Sequence, residues 1–319
     1  MTASSKNVLI LRTLIALCKR DIKLPSVFYD LGYTQLLLDK VISLDDNKTV
    51  VPDLIMSSRQ QNHCIVWESK SGRNIDNDQA KRLALIKATC FKDQLMLNIK
   101  VEEGFLFDMA YACDGQQCDN IRVDLNRLAE EGSPVGKFPI IGFFEDKGLQ
   151  KHSGKFNKEN IDLIMSAGIS FDLREIPVDY LPFDQDSSLS DIAPFVVRII
   201  VSYAARQEAQ FSSEQVTKES YGSSWDFISS RTKNEMVNKV EKILIEARQN
   251  EFRGYLSRVG RGGIRSLKWQ LNYSNARGGA YPAGRLKKLQ KRCKEFVNRL
   301  RREESGIKQL RLPLVLEDD

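Results

Sequence analysis

The chain has 319 residues, 42% of them hydrophobic and 28% charged, with a formal net charge of +6. That length accommodates two domains with sizeable cores, and that balance excludes a disordered chain, a collagen-like repeat and a disulfide-stapled miniprotein. Charge is unevenly placed: residues 248–311 hold 18 Lys/Arg against 4 Asp/Glu, which leaves the rest of the chain at −8.

Such polarity points to a polyanionic partner, nucleic acid ahead of an anionic membrane surface. A solvated basic face without a ligand is the plain alternative. No run of 18 apolar residues is present, so no membrane span is expected. The apolar stretch 8–17 is short, is interrupted by Arg12 and has no small-residue cleavage site, which makes it a core helix rather than a signal peptide. Six scattered cysteines then read as reduced thiols in a cytoplasmic protein.

In chain order, residues 8–17 and 28–42 both show helical apolar spacing, the second broken near Gly32. Residues 50–56 and 64–68 are short apolar or β-branched runs separated by the polar stretch 57–62, a strand–turn–strand signal. Residues 77–89 return to helical spacing. Strands are expected at 95–99, 104–112, 138–144 and 169–176, with a helix at 158–165 between the last two. Residues 1–182 thus read as a mixed α/β domain with a central sheet.

Pro177, Pro182, Asp184, Asp186, Ser187 and Ser188 mark a link. Beyond it, 192–205 is helical, Ser212 and Gln215 form a capping-box start, and 231–248 is a further helix. Two strand-like pieces, 255–259 and 266–271, flank a Gly/Arg turn. Helix, helix, helix and hairpin is the order of a winged-helix module, here over residues 189–275. A basic helix and tail, 280–319, closes the chain. On this reading Lys233, Asn234, Asn238 and Lys239, together with Arg231 and Lys242, line the exposed face of the second helix of the motif. Arg258, Arg261 and Arg265 decorate the wing. A helical protein-interaction domain with solvated lysines is the competing reading.

The segment richest in chemistry is Val51-Pro52-Asp53-Leu54, followed by Ile65-Val66-Trp67-Glu68-Ser69-Lys70. Alternation along a strand puts Glu68 and Lys70 on one face, and hairpin pairing brings Asp53 alongside. Two carboxylates with the Ser69 carbonyl make a hard-oxygen site suited to Mg²⁺ or Mn²⁺. A lysine there can orient a water that attacks a phosphodiester. A strand-end turn beside a surface ion pair is the bland reading. Against it, Glu68 ends an almost continuously apolar run, where an unpaired carboxylate is costly.

The pattern Pro52-Asp53, fourteen residues, Glu68-Ser69-Lys70, with Gln79 on the following helix, resembles the PD-(D/E)XK nuclease superfamily over roughly residues 1–110. The resemblance implies a restriction-endonuclease-like α/β fold, a central mixed sheet flanked by helices. It also implies Asp53 and Glu68 as metal ligands, beside the Ser69 carbonyl read above, Lys70 as the water-positioning base and Gln79 as a helper. Many members add a Glu from the first helix. This chain has no Glu before Glu68, leaving Asp30 and Asp39 as substitutes.

The function expected is a Mg²⁺- or Mn²⁺-dependent endonuclease acting on DNA, with RNA second, in restriction, antiphage defence or mobile-element processing. It would act as a homodimer or within a larger complex. The other class is a non-catalytic DNA-binding or assembly protein with a nuclease-like fold. Three weaker motifs fail: residues 148–155 have the wrong spacing for a P-loop. Cys113 and Cys118 lack a second Cys/His pair for zinc, and His63 and His152 lack a triad partner motif.

Overall fold

The structure is a computed structural model that describes residues 3–21, 23–44, 48–92, 97–101, 104–177, 180–259, 268–272 and 283–310. The chain forms two compact units, Met1–Leu181 with Ser223–Thr232, and Pro182–Gly222 with Lys233–Asp319.

The first unit opens with helix α1 (Ala3–Leu17), whose residues from Val8 onward are buried on nearly every side. A helix apolar all round belongs inside a core. Its one interior cation, Arg12, donates from Nε to the Leu181 carbonyl at 2.9 Å. A short helix α2 (Val27–Asp30) turns at Gly32 into strand β1 (Tyr33–Leu38). Helical spacing over 28–42 is therefore overturned. Six residues are too few for periodicity to separate helix from strand, and pairing with a neighbouring strand decides.

The small ribbon β2 (Ile42–Ser43) and β3 (Thr49–Val50) precedes β4 (Leu54–Ser58) and β5 (His63–Lys70). Ser57 and Ser58, expected in the turn, belong to β4. After α3 (Asn77–Leu83) come β6 (Leu106–Asp114), α4 (Cys118–Glu130), β7 (Ile140–Phe144), β8 (Gly148–Ser153) and α5 (Glu159–Ala167). The expected strand at 95–99 falls partly on residues 95 and 96, outside the described residues, and Leu97–Ile99 forms no strand. Over 169–176 only Ile169 bridges, to Leu149, before a 3₁₀ turn at Leu173–Glu175. The amphipathic helix α4 and the edge strand β8 carry weaker sequence signals and stand out only in the structure.

The sheet order is β1-β4-β5-β6-β7-β8. β5 is antiparallel to β4 and parallel to β6, β6 is parallel to β7, and the edges are antiparallel. Central β5 is buried along all but its last residue, as expected for a strand covered on both faces.

The second unit runs α6 (Leu189–Arg206), β9 (Gln210–Phe211), α7 (Ser213–Tyr221), α8 (Ser230–Gln249, of which all but the first turn lies in this unit), β10 (Leu256–Val259), β11 (Lys268–Leu271) and α9 (Ala283–Leu310). The capping box holds: Ser212 Oγ accepts from Gln215 N at 3.1 Å, and Gln215 Oε1 accepts from Ser212 N at 2.7 Å. The three short strands pair antiparallel in the order β10-β11-β9. α9 packs on α6, and its Leu289, Cys293, Phe296, Val297 and Leu300 are buried. Among the described residues no helix is long and apolar enough to cross a membrane.

Gly148 makes the β7–β8 turn at φ +84°, and a Cβ there would lie 2.0 Å from the Ile169 carbonyl oxygen. Ile169 and Leu149 exchange both backbone hydrogen bonds beside it, at 2.9 and 2.8 Å. Gly148→Ala is therefore expected to destabilise the first unit by more than about 1 kcal/mol. Urea unfolding of the two proteins measures it, and an unchanged midpoint would refute the expectation.

Candidate active site

The site forms where β4 and β5 meet. Their register pairs Leu54 with Trp67, so Asp53, one residue earlier, stands across from Glu68. Asp53 Oδ2 accepts the Ser69 N–H at 2.6 Å, which ties the carboxylate to the neighbouring strand. Glu68 is 1% exposed and Lys70 shares its face of β5, with Nζ 2.7 Å from Glu68 Oε1.

The chain then turns through 71–76, and Asp76 caps α3 by accepting from Asp78 N at 2.9 Å and Gln79 N at 3.0 Å. That cap delivers Gln79 to the site. Its Nε2 donates to both Glu68 oxygens at 2.9 Å and to the Val51 carbonyl at 3.3 Å. Sequence reasoning thus named four side chains, Asp53, Glu68, Lys70 and Gln79, that the fold brings together.

The electrostatics follow from burial. It raises the pKa of Asp53 well above the usual carboxylate range, and Glu68 adds to the rise, while Lys70 and the Ser69 N–H oppose it. Burial likewise raises Glu68 against the pull of Lys70 and Gln79. For Lys70, burial pushes down, but Glu68 and Asp53 outweigh it and the net direction is up. Lys70 therefore stands as an ammonium. It is a donor and a charge at this site before it is a base.

Of the two substitutes for a first-helix acid, Asp39 is the neighbour. Its N–H donates to the Asp53 carbonyl at 3.1 Å, and its charge contributes to the raised Asp53. Asp30 sits exposed in α2, outside the group. Ser69 contributes a backbone donor to Asp53, and its Oγ reaches Asn7 Oδ1 on α1 at 3.3 Å. Asn7 and Tyr111, which β6 sets directly beside Glu68, escaped the sequence reading because only tertiary pairing brings them near. The Asp76 cap was legible: an Asp three residues ahead of Gln79 at a helix start.

The donor set fits a small hard cation bound by one or two carboxylates with water completing its shell, the habit of Mg²⁺. Among the described residues no group of three or more His, Cys, Asp or Glu is arranged to hold a metal. Cys113 and Cys118 lie buried with their Sγ atoms 3.3 Å apart. His63 is fully buried between Tyr33 Oη at 2.6 Å and Asp108 Oδ2 at 3.0 Å, and His152 pairs with Asp119 at 3.3 Å.

The nucleic-acid residues expected in the second unit divide. Asn234 and Asn238 are exposed on α8 and Lys233 is half-buried. Lys239 is turned inward: its Nζ donates to the Gln185 and Ser187 carbonyls, the latter at 2.7 Å, and burial lowers its pKa. Arg258 is exposed on β10 but has a buried partner. It pairs at 3.0 Å with Glu241, which is 3% exposed, and it lies over the Trp269 ring. Glu241 further accepts from Trp269 Nε1 at 2.8 Å and from Ser213 Oγ. A buried carboxylate needs such a partner, so Arg258 neutralises Glu241 while its own side chain stays 33% exposed. Arg261 and Arg265 lie outside the described residues.

Residues 6–181, more than half of the chain, match the family model of the MJECL32 domain, and the chain belongs to that family. Comparison with curated proteins and with solved structures gives no match.

Two adjacent buried carboxylates cost stability when both are ionised. Asn at position 53 keeps an oxygen for the Ser69 N–H and removes one charge. In EDTA, Asp53→Asn is expected to stabilise the chain by about 1 kcal/mol at neutral pH. Because the folded-state pKa is raised, the cost it removes is present at neutral pH and fades as pH falls toward about 4. Thermal melts across that range check it; a lower melting temperature for the variant at pH 7 would refute it.

Proposed function

We propose that this protein is a divalent-metal-dependent nuclease of the PD-(D/E)XK type, cleaving phosphodiester bonds in DNA. The observation that carries the reading is the convergence of Asp53, Glu68, Lys70 and Gln79 at one end of β4 and β5, all within 2.6–3.3 Å hydrogen-bond or ion-pair reach of one another or of the intervening backbone. The order of elements supports it: an apolar first helix, three antiparallel strands carrying the motif, a helix bearing Gln79, then a parallel strand. The succession α6, β9, α7, α8, β10, β11, with sheet order β10-β11-β9, supports an appended winged-helix module.

In this reading Asp53 and Glu68 hold Mg²⁺ or Mn²⁺. The bound ion supplies charge neutralisation at the scissile phosphate and acidifies a water. The protein's own part is positional. Gln79 clamps the Glu68 carboxylate in one orientation through both oxygens. The Ser69 N–H does the same for Asp53. Lys70 spends one of its three N–H donors on Glu68, and its side chain keeps 23% exposure, which leaves donors that can orient a water or a phosphate oxygen.

The test is cleavage of a DNA duplex with Mg²⁺. Asp53→Ala and Glu68→Ala are expected to abolish it. Lys70→Ala is expected to lower the rate by about 10²–10⁴-fold. Gln79→Ala, which loosens a ligand without removing it, should cost about 10–100-fold. Full activity in Asp53→Ala or Glu68→Ala would sink the metal-site assignment, and a wild-type chain that binds DNA without cutting it would favour a non-catalytic binding protein.

A further inference from the structure

Arg258 is paired with Glu241, so the basic excess of residues 248–311 lies mainly elsewhere. α9 carries half of it, ten Lys/Arg against three Glu. Its apolar side is buried, and Lys287, Lys288, Lys291, Arg292, Lys294, Arg301 and Arg302 are exposed on the other. Within that face Lys287, Lys291 and Lys294 recur at intervals of four and three, one stripe of the helix surface. The stripe borders a cleft of about 620 Å³ between α9 and α6, floored by Pro194, Val197, Val201 and Cys293, with exposed Arg198 on the α6 side. One acid dilutes it: Glu295 lies 3.9 Å from Lys291 and 3.4 Å from Arg292, both exposed pairs of little strength.

We infer that this α6–α9 cleft, with its Lys287–Lys291–Lys294 stripe, is the docking track for the phosphodiester backbone of duplex DNA. The inference rests on the nucleic-acid substrate proposed above. Charge complementarity carries it: three lysines spanning about 10 Å of helix set a row of positive charge against a duplex that carries one negative charge per ~1.7 Å of its axis. Two alternatives fit less well. A membrane-surface helix needs an apolar face to insert, whereas that of α9 is filled by Leu289, Phe296 and Leu300, which are buried in its own unit. A single strand is held by stacking on aromatic rings, and the described residues lining the cleft include none.

The experiment uses the full chain in EDTA, so that binding is read without cleavage. A fluorescent DNA duplex is titrated at several salt concentrations. Lys287, Lys291 and Lys294 are replaced together, once by Gln and once by Arg. The Gln variant is expected to bind about a hundredfold more weakly near 0.1 M salt, with the slope of log affinity against log salt shallower by up to about 2.7. The Arg variant should keep both affinity and slope, which separates lost charge from lost fold. A Gln variant with unchanged affinity and slope overturns the inference. So does a wild-type chain that prefers an RNA duplex of the same sequence, or phosphatidylserine/phosphatidylcholine vesicles, to DNA. Duplex binding that follows this pattern in a chain that never cleaves with Mg²⁺ would defeat the nuclease reading and leave the track standing.

Discussion

Glu68 is a carboxylate with almost no solvent contact at the end of an otherwise apolar central strand. Removing a charge from water costs several kcal/mol unless something at hand compensates. The first unit is arranged around that requirement. Lys70 pairs with Glu68 from the same strand and Gln79 grips both of its oxygens. The cap at Asp76 fixes the helix that brings Gln79 in, and β4 places Asp53 opposite. Asp53 worsens the electrostatics, since each carboxylate raises the cost of ionising the other. A core selected for stability alone would not keep the pair, whereas a site that needs concentrated negative charge for a cation would.

The second unit solves the same problem with the opposite outcome. Glu241 is buried like Glu68, but Arg258, Trp269 and Ser213 surround it within one short sheet and its flanking helices, and its charge is neutralised by an arginine at the surface. Arg299 likewise gathers Glu246, Glu251 and Glu303 at 2.7–2.8 Å. Cations counted in the sequence as potential ligand contacts are in these cases committed to acids of their own fold. What is left over, and where it is left, is a property of packing.

His63 illustrates how the same strand can carry unrelated roles. His63 opens β5 and Glu68 nearly closes it, yet His63 is locked between Tyr33 and Asp108, and Asn157 N donates to Asp108 at 2.9 Å. That network ties β1, β5, β6 and the loop before α5 together at the end of the sheet away from the motif. It has every feature of a satisfied interior polar cluster.

Several features were settled by local sequence. The apolar run of α1, the capping box at Ser212, the buried face of α8 and the motif order Asp53, Glu68, Lys70, Gln79 all rest on interactions within a few residues, or on a period that burial repeats. Short segments were not settled this way. Residues 33–38 became a strand because β4 offered them a partner, and 169–176 lost one because a single bridge to Leu149 sufficed. The choice of Asp39 over Asp30, the arrival of Asn7 and Tyr111, the pairing of Arg258 with Glu241 and the inward turn of Lys239 depend on segments more than ten residues apart. A side chain's charge is written in the sequence; the partner that neutralises it, or its freedom to meet a ligand, is decided only when the strands and helices are packed.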